Sequence, residues 1–368
     1  MRILELPAYF LPHTGGIEYV IYYLSKEWVK IGHSVKVVTS SIGSNKRKEV
    51  MGGIKVKRLF SFQFMQDAIA PLLFFSLSKK DIAHIHHPHP FWIYVSSIYC
   101  RLVGMPYVFH MHGREIVYPG WKNVLAVIYN YIFLDSVMKH ASKIMTHTMK
   151  VVPMSVYMQK DYDKLVYIPH GIEMLPLKSS KRENFIFTVG IRDYKRLDIL
   201  IKAMPDVLRM VDTKLLIAGD GPEKASLIEL VNKLKLSRKV EFLGYISEEK
   251  KYELYSRAGV FVLPSPTIME SFGTVAFEAF SMKCPVIVTS GAGVSEVFDK
   301  EKIGIVIRPY NVLDLSESII SVLKNKKRAH AIGEKGYRVI KQNYQWKDIA
   351  LRYLATFDDV LRYGNKNC

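Results

Sequence analysis

Short runs of β-branched and aliphatic residues alternate with amphipathic stretches from one end of this chain to the other. That alternation admits little besides parallel sheets wrapped by helices. Strands are expected at 2–6, 35–39, 55–59, 82–86, 107–112, 143–146 and 165–169. A second series starts at 185–190 and continues at 214–218, 240–243, 260–264, 286–289 and 303–307. Between the series lies the polar stretch 174–184, with Pro176 and two serines, which reads as a linker. At 368 residues the chain exceeds what one hydrophobic core usually serves. The expected fold is therefore α/β, with two Rossmann-like domains at 1–178 and 179–342 and a C-terminal segment at 343–368. That segment carries Trp346 and a helical repeat of Ile349, Tyr353, Phe357 and Leu361 running to about Gly364, suited to packing back on the first domain. Parallel sheets take ligands at the carboxyl ends of their strands, so two such domains are expected to face each other across a cleft.

Composition bounds the partners. The formal charge is +18, and both halves carry a positive excess, which favours anionic ligands. Nucleic acid is set aside: no recognition motif appears, and the aromatics fall in apolar-periodic segments where core packing accounts for them. Nucleotide diphosphates and an anionic membrane surface remain. The clusters Lys46-Arg47-Lys48 and 55–58, with the apolar stretch 68–77 followed by Lys79-Lys80, suit a membrane-surface patch, and an ordinary core helix fits that stretch equally well. No 18-residue apolar run marks a membrane span, and the opening Met-Arg-Ile-Leu-Glu-Leu-Pro lacks the features of a signal peptide, so a cytoplasmic location is expected. Cys100, Cys284 and Cys368 are far apart and lack CxxC context, which suggests neither disulfides nor a zinc site.

The segment from Pro264 to Glu278 follows an expected strand and opens an expected helix near Phe272. A helix N-terminus there offers free N–H groups to a phosphate, and Gly273 allows close backbone approach. Glu270, just ahead of the helix, could accept from sugar hydroxyls, and Glu278 lies about two turns on, where a ribose would fall. The plain alternative is a helix-end charge and a solvated face.

The Glu270-x7-Glu278 segment and its companions resemble retaining GT-B glycosyltransferases of family 4. The companions are Gly15-Gly16-Ile17-Glu18, His112-Gly113, Ile168-Pro-His-Gly171, Val189-Gly190 with Lys195, Ala218-Gly-Asp-Gly221, and Gly291-Ala-Gly-Val-Ser-Glu296. The resemblance implies that Glu270 and His112 contact the donor sugar, that amides near Phe272, Gly273 and Thr274 meet the diphosphate, and that Glu278 holds the ribose. It also implies a Lys and an Arg that neutralise the leaving diphosphate. Lys195 matches, whereas Arg192 and Arg196 compete for the Arg, Arg192 being preferred and Arg196 retained as a donor-side contact. Gly15, Gly16, Gly190 and Gly221 are expected to give the donor room. Glu18 is expected to cap its helix, and His110 to be structural.

Two fixed cations and a helix N-terminus can stabilise a diphosphate, so no metal and no cofactor is expected. Asp161-Tyr-Asp163 reads as a turn; the His84, His86, His87 and His89 cluster could suggest metal binding, but His84 and His86 share one strand face while His87-Pro-His-Pro bends away, so cleft lining is the preferred reading. The function expected from the resemblance is transfer of a hexose from a UDP- or GDP-sugar to a glycan or lipid-linked acceptor, with retained configuration. The alternatives are a sugar-nucleotide epimerase, a phosphorylase, or a non-catalytic membrane-surface binding protein.

Overall fold

In the computed structural model the described residues are 1–13, 15–64, 67–113, 115–116, 120, 123–177 and 181–363. Cys368, Gly364 and the expected boundary at 178 lie outside them. Contacts divide the chain into one unit of 1–171 with 346–368 and a second of 172–345.

The first unit is built on an eight-stranded sheet. Its strands are β1 (Arg2–Leu6), β2 (Ser34–Ser40), β3 (Lys48–Met51), β4 (Ile54–Leu59), β7 (Ile82–His86), β8 (Tyr107–Met111), β9 (Lys143–Thr146) and β10 (Leu165–Tyr167), with β5 (Phe62–Phe64) and β6 (Asp67–Ile69) forming a separate antiparallel pair. The order is β10-β9-β8-β7-β1-β2-β4-β3, and every pairing is parallel except β3 with β4. β7 and β8 are buried at every position, as strands covered on both faces must be. β3, β5 and β6 were not expected: each is three or four residues long and shows no sustained apolar period. The stretch 68–77 is not one helix. Ala68, Ala70 and Leu73 are buried and Phe75 is 83% exposed, with a helix only over Leu73–Ser76. Helix Trp346–Tyr363 packs against helix Gly16–Lys30, where the Trp28 indole N–H donates to the Ala350 carbonyl at 3.1 Å.

The second unit is a six-stranded parallel sheet of β11 (Phe185–Val189), β12 (Lys214–Ala218), β13 (Val240–Gly244), β14 (Val260–Leu263), β15 (Val286–Thr289) and β16 (Ile305–Ile307). Its order, β13-β12-β11-β14-β15-β16, is the doubly wound 3-2-1-4-5-6 arrangement. The order reverses between β11 and β14, which opens a crevice at their carboxyl ends. Ile186, Ile217, Val262 and Ile287 from the strands meet Leu200, Met204, Leu315 and Ile319 from helices in one buried core. Among the described residues no helix is long and apolar enough to cross a membrane.

Candidate active site

Four loops converge at the reversal point of the second unit, and glycines let them touch. Gly190 follows β11 at φ +86°, and a Cβ there would lie 3.3 Å from Cε of Lys195, so the glycine makes room for that lysine to fold back over the strand end. Lys195 Nζ donates to the Val189 carbonyl at 3.1 Å and lies 3.2 Å from Oε2 of Glu270, a charge contact not aligned as a hydrogen bond. Both side chains are nearly buried, at 9% and 12% exposure. A lysine and a glutamate 75 positions apart are thus joined where β11 and β14 diverge. The loop after β12 packs on the loop after β11 so tightly that a Cβ on Gly221 would sit 1.9 Å from the Ile191 carbonyl oxygen. The loop after β15 does the same to the Glu270 loop: the Gly293 amide donates to the Glu270 carbonyl at 2.9 Å, and a Cβ at Gly293 would meet the Ser271 carbonyl oxygen at 1.8 Å.

The helix after this loop runs Thr274–Ser281, with Gly273 as its N-cap at φ +82°. It starts two residues later than expected, because Phe272 turns inward to an edge-on contact with Phe277 and the left-handed Gly273 makes the turn. Thr274 opens the helix, and Gly273 carries no side chain that would satisfy its free N–H groups. On that helix Glu278 accepts from the Tyr255 hydroxyl at 3.1 Å and pairs with Lys251 at 3.1 Å. Burial lowers the Lys251 ammonium pKa, but Glu278 and Glu248 outweigh it and the net shift is upward.

The two candidate arginines differ. Arg196 takes a left-handed backbone ahead of helix Leu197–Met210, forms a two-point pair with Asp198 at 2.8 and 3.0 Å, and lies over the Tyr310 ring. Asp198 is held down to about 2 by that pair and Lys202, against the opposing effect of burial. Arg192 is exposed at the strand-end loop, with no hydrogen bond or ion pair seen for its guanidinium among the described residues. Arg196 is thus committed within the fold, whereas Arg192 is available to a ligand.

In the first unit, Gly15 and Gly16 start helix Gly16–Lys30. Among the described residues no capping hydrogen bond is seen for Glu18: its carboxylate pairs with His13 at 3.2 Å and lies over Gly15, where a Cβ would come within 2.4 Å of it. The expected room at Gly15 is therefore filled by Glu18, whereas Gly16 is open, with nothing within 4 Å of a Cβ. His112 follows β8, is 6% exposed, and stacks on the fully buried His110 at 3.8 Å between ring centres. Burial keeps both imidazoles neutral, their pKa values well below the usual range.

His84 and His86 are buried rather than lining an accessible surface, and both bind the carboxylate of Glu5, at 3.0 and 2.6 Å. Sequence reasoning passed over Glu5, because a glutamate in a first strand carries no motif; only its register opposite His84 reveals it. Asp161 pairs with Lys164 in a turn. Cys100 and Cys284 are buried, their thiols pushed up to about 12 and about 11 by burial.

Comparison with known proteins gives the family of the chain. Residues 174–339 match the family model "Glycosyl transferases group 1", and residues 14–174 match "Glycosyltransferase Family 4". An uncharacterized glycosyltransferase of Methanocaldococcus jannaschii is 26% identical, over 92% of each chain. A phosphatidylinositol N-acetylglucosaminyltransferase subunit from Arabidopsis thaliana is 25% identical, over all of this chain and 84% of its own. Among solved structures, sucrose-phosphate synthase of Thermosynechococcus elongatus aligns with a TM-score of 0.75 at 19% identity, over 98% of this chain and 99% of that one. HepE of Anabaena in complex with UDP aligns at 0.74 and 16%, over 97% and 99%. The doubly wound sheet, the glycine-locked loops at its reversal point and two adjoining family models lead to one assignment: the chain belongs to the glycosyl transferases group 1, of the Glycosyltransferase Family 4 type.

Proposed function

We propose that this glycosyltransferase moves a hexose unit from a nucleoside-diphosphate sugar to a lipid-linked or glycan acceptor with retention of configuration. The observation that carries the reading is the Lys195–Glu270 contact at the reversal point of the second unit. It sets a fixed cation against a carboxylate beside a helix N-terminus that leads with glycine. Arg192 and Lys195 neutralise the diphosphate, the amides around Phe272, Gly273 and Thr274 bind its oxygens, Glu278 holds the ribose, and Glu270 orients the sugar. The C1–O bond breaks toward an oxocarbenium-like state, the acceptor oxygen bonds C1 on the same face, and the leaving phosphate takes the acceptor proton. No metal enters this step. His112, neutral and stacked, is given the task of hydrogen-bonding the donor sugar.

HepE was solved as a complex with UDP, and one relative bears the name of a phosphatidylinositol N-acetylglucosaminyltransferase, which supports a UDP-sugar and a lipid acceptor. A peripheral membrane role draws support from Phe60, Phe62, Phe64, Leu72 and Phe75, all exposed, near the basic Lys79 and Lys80 in sequence.

A thermal-shift panel of UDP-, GDP- and ADP-sugars with Mg²⁺ added or withheld tests the donor. One nucleotide class is expected to raise the melting temperature equally in both conditions. Lys195→Ala is expected to lower transfer by about 10²-fold or more. Full transfer by Glu270→Ala would sink the reading, and product formed without acceptor would turn it toward an epimerase.

A further inference from the structure

Adjacent strands of the first unit bring together a set of nitrogen donors to which the transfer chemistry assigns no metal. Glu5 on β1 is in register with His84 on β7, and His86 with His110 on β8. Period-two alternation puts His84 and His86 on one face. One nitrogen from each of His84, His86 and His110 lies within 4.8 Å of the other two. All three rings are buried, at 0%, 1% and 0% exposure.

Glu5 fixes the tautomers. A neutral imidazole has one N–H. His84 directs Nδ1, and His86 directs Nε2, at the Glu5 carboxylate, so the lone pairs fall on His84 Nε2 and His86 Nδ1. Among the described residues, His84 Nε2 and both nitrogens of His110 are buried without a hydrogen-bond partner, which a fold ordinarily avoids. The only ion pairs of Glu5 among the described residues are with these histidines.

A single bound ion answers each of these features. We propose that His84, His86 and His110 bind one divalent transition-metal ion of the zinc class, with Glu5 as the carboxylate that orients two of the three ligands. A carboxylate behind a metal-bound imidazole is the usual device for setting ring orientation and tautomer, and imidazole suits zinc and its neighbours better than magnesium or calcium. Tetrahedral ligation sets donor nitrogens roughly 3.3 Å apart, so the rings draw together on loading. Loading also takes His86 Nδ1 away from His112 Nε2, which it contacts at 3.0 Å. The ion belongs to the first unit, has no part in neutralising the diphosphate, and does not depend on the donor reading.

The full-length protein, stripped with a chelator, loaded with Zn²⁺ and desalted, is expected to retain about one equivalent by mass spectrometry and to melt higher than the stripped form. Co²⁺ in its place is expected to give the intense visible absorption of tetrahedral ligation. Glu5→Gln is expected to weaken retention by about 10- to 100-fold, and His84→Gln or His110→Gln to abolish it. His330→Gln, at a surface histidine, is expected to leave it unchanged. Retention below about 0.1 equivalent in folded wild-type protein would overturn the site and leave a hydrogen-bonded histidine network only. Retention that persists in His84→Gln and His110→Gln would overturn it too. Should those variants fail to fold, a weak octahedral Co²⁺ spectrum in the wild type would do the same.

Discussion

Glu5 and the histidines around it titrate in a way that reports on folding. Burial and the neighbouring His84 hold His86 down to about 4, against the attraction of Glu5, and burial holds His147 down to about 3. A histidine whose folded pKa lies below its unfolded value of 6.5 is protonated first in the unfolded chain. Its contribution is complete above pH 6.5 and is lost as pH falls toward 4. For His86 alone the loss is about 3 kcal/mol. Glu5 acts in the same direction at lower pH: burial raises its pKa, but His84 and His86 more than offset that and bring it to about 2, so its contribution is complete above 4.5 and fades toward 2. The urea midpoint is therefore expected to drop steadily between pH 6.5 and 4, and an unchanged midpoint over that range would contradict the burial of these rings. The histidine run at 84–89 was visible in the sequence, yet its partner Glu5 stands 79 positions from His84, a distance that only sheet register closes.

Loops at the strand ends show what single elements demand. Gly221→Ala must push its new methyl into the Ile191 carbonyl, and the expected cost is about 1–3 kcal/mol, measured by chemical denaturation, with weaker donor binding as the two loops separate. Gly16→Ala meets nothing and is expected to change stability by less than about 0.5 kcal/mol. Any loss of transfer by Gly16→Ala then reports space needed by a ligand, and normal transfer would remove Gly16 from the donor-side residues. The glycine-rich wording of these loops was legible from sequence. Which glycine serves a ligand and which serves loop-on-loop contact was not, because the clashing carbonyl belongs to a different loop.

At the scale of the whole molecule, the chain returns to its first unit after completing the second. Ile349, Ala350, Tyr353, Leu354, Phe357 and Val360 of the last helix are buried, and Trp28 packs against Tyr353 and Phe357. Deleting 346–368 is expected to uncover Trp28 and lower the melting temperature sharply, with dye binding to the exposed apolar face. A truncated chain that melts like the full one would show that helix to be dispensable. The apolar period of this helix could be read directly, since i, i+4 spacing is a property of the helix itself. The parallel sheets, the two strand series and the Glu270–Glu278 segment were likewise within reach of sequence alone, because strand period, helix period and turn residues are local and each leaves its mark within a few positions. Tertiary structure alone decided that Glu18 binds His13, that Arg196 is spent on Asp198 and the Tyr310 ring while Arg192 is not, that the site helix begins at Thr274, and that Glu5 sits among buried histidines. Each depends on which side chain a loop or neighbouring strand brings within a few ångströms, and that is set by register and packing across the sheet.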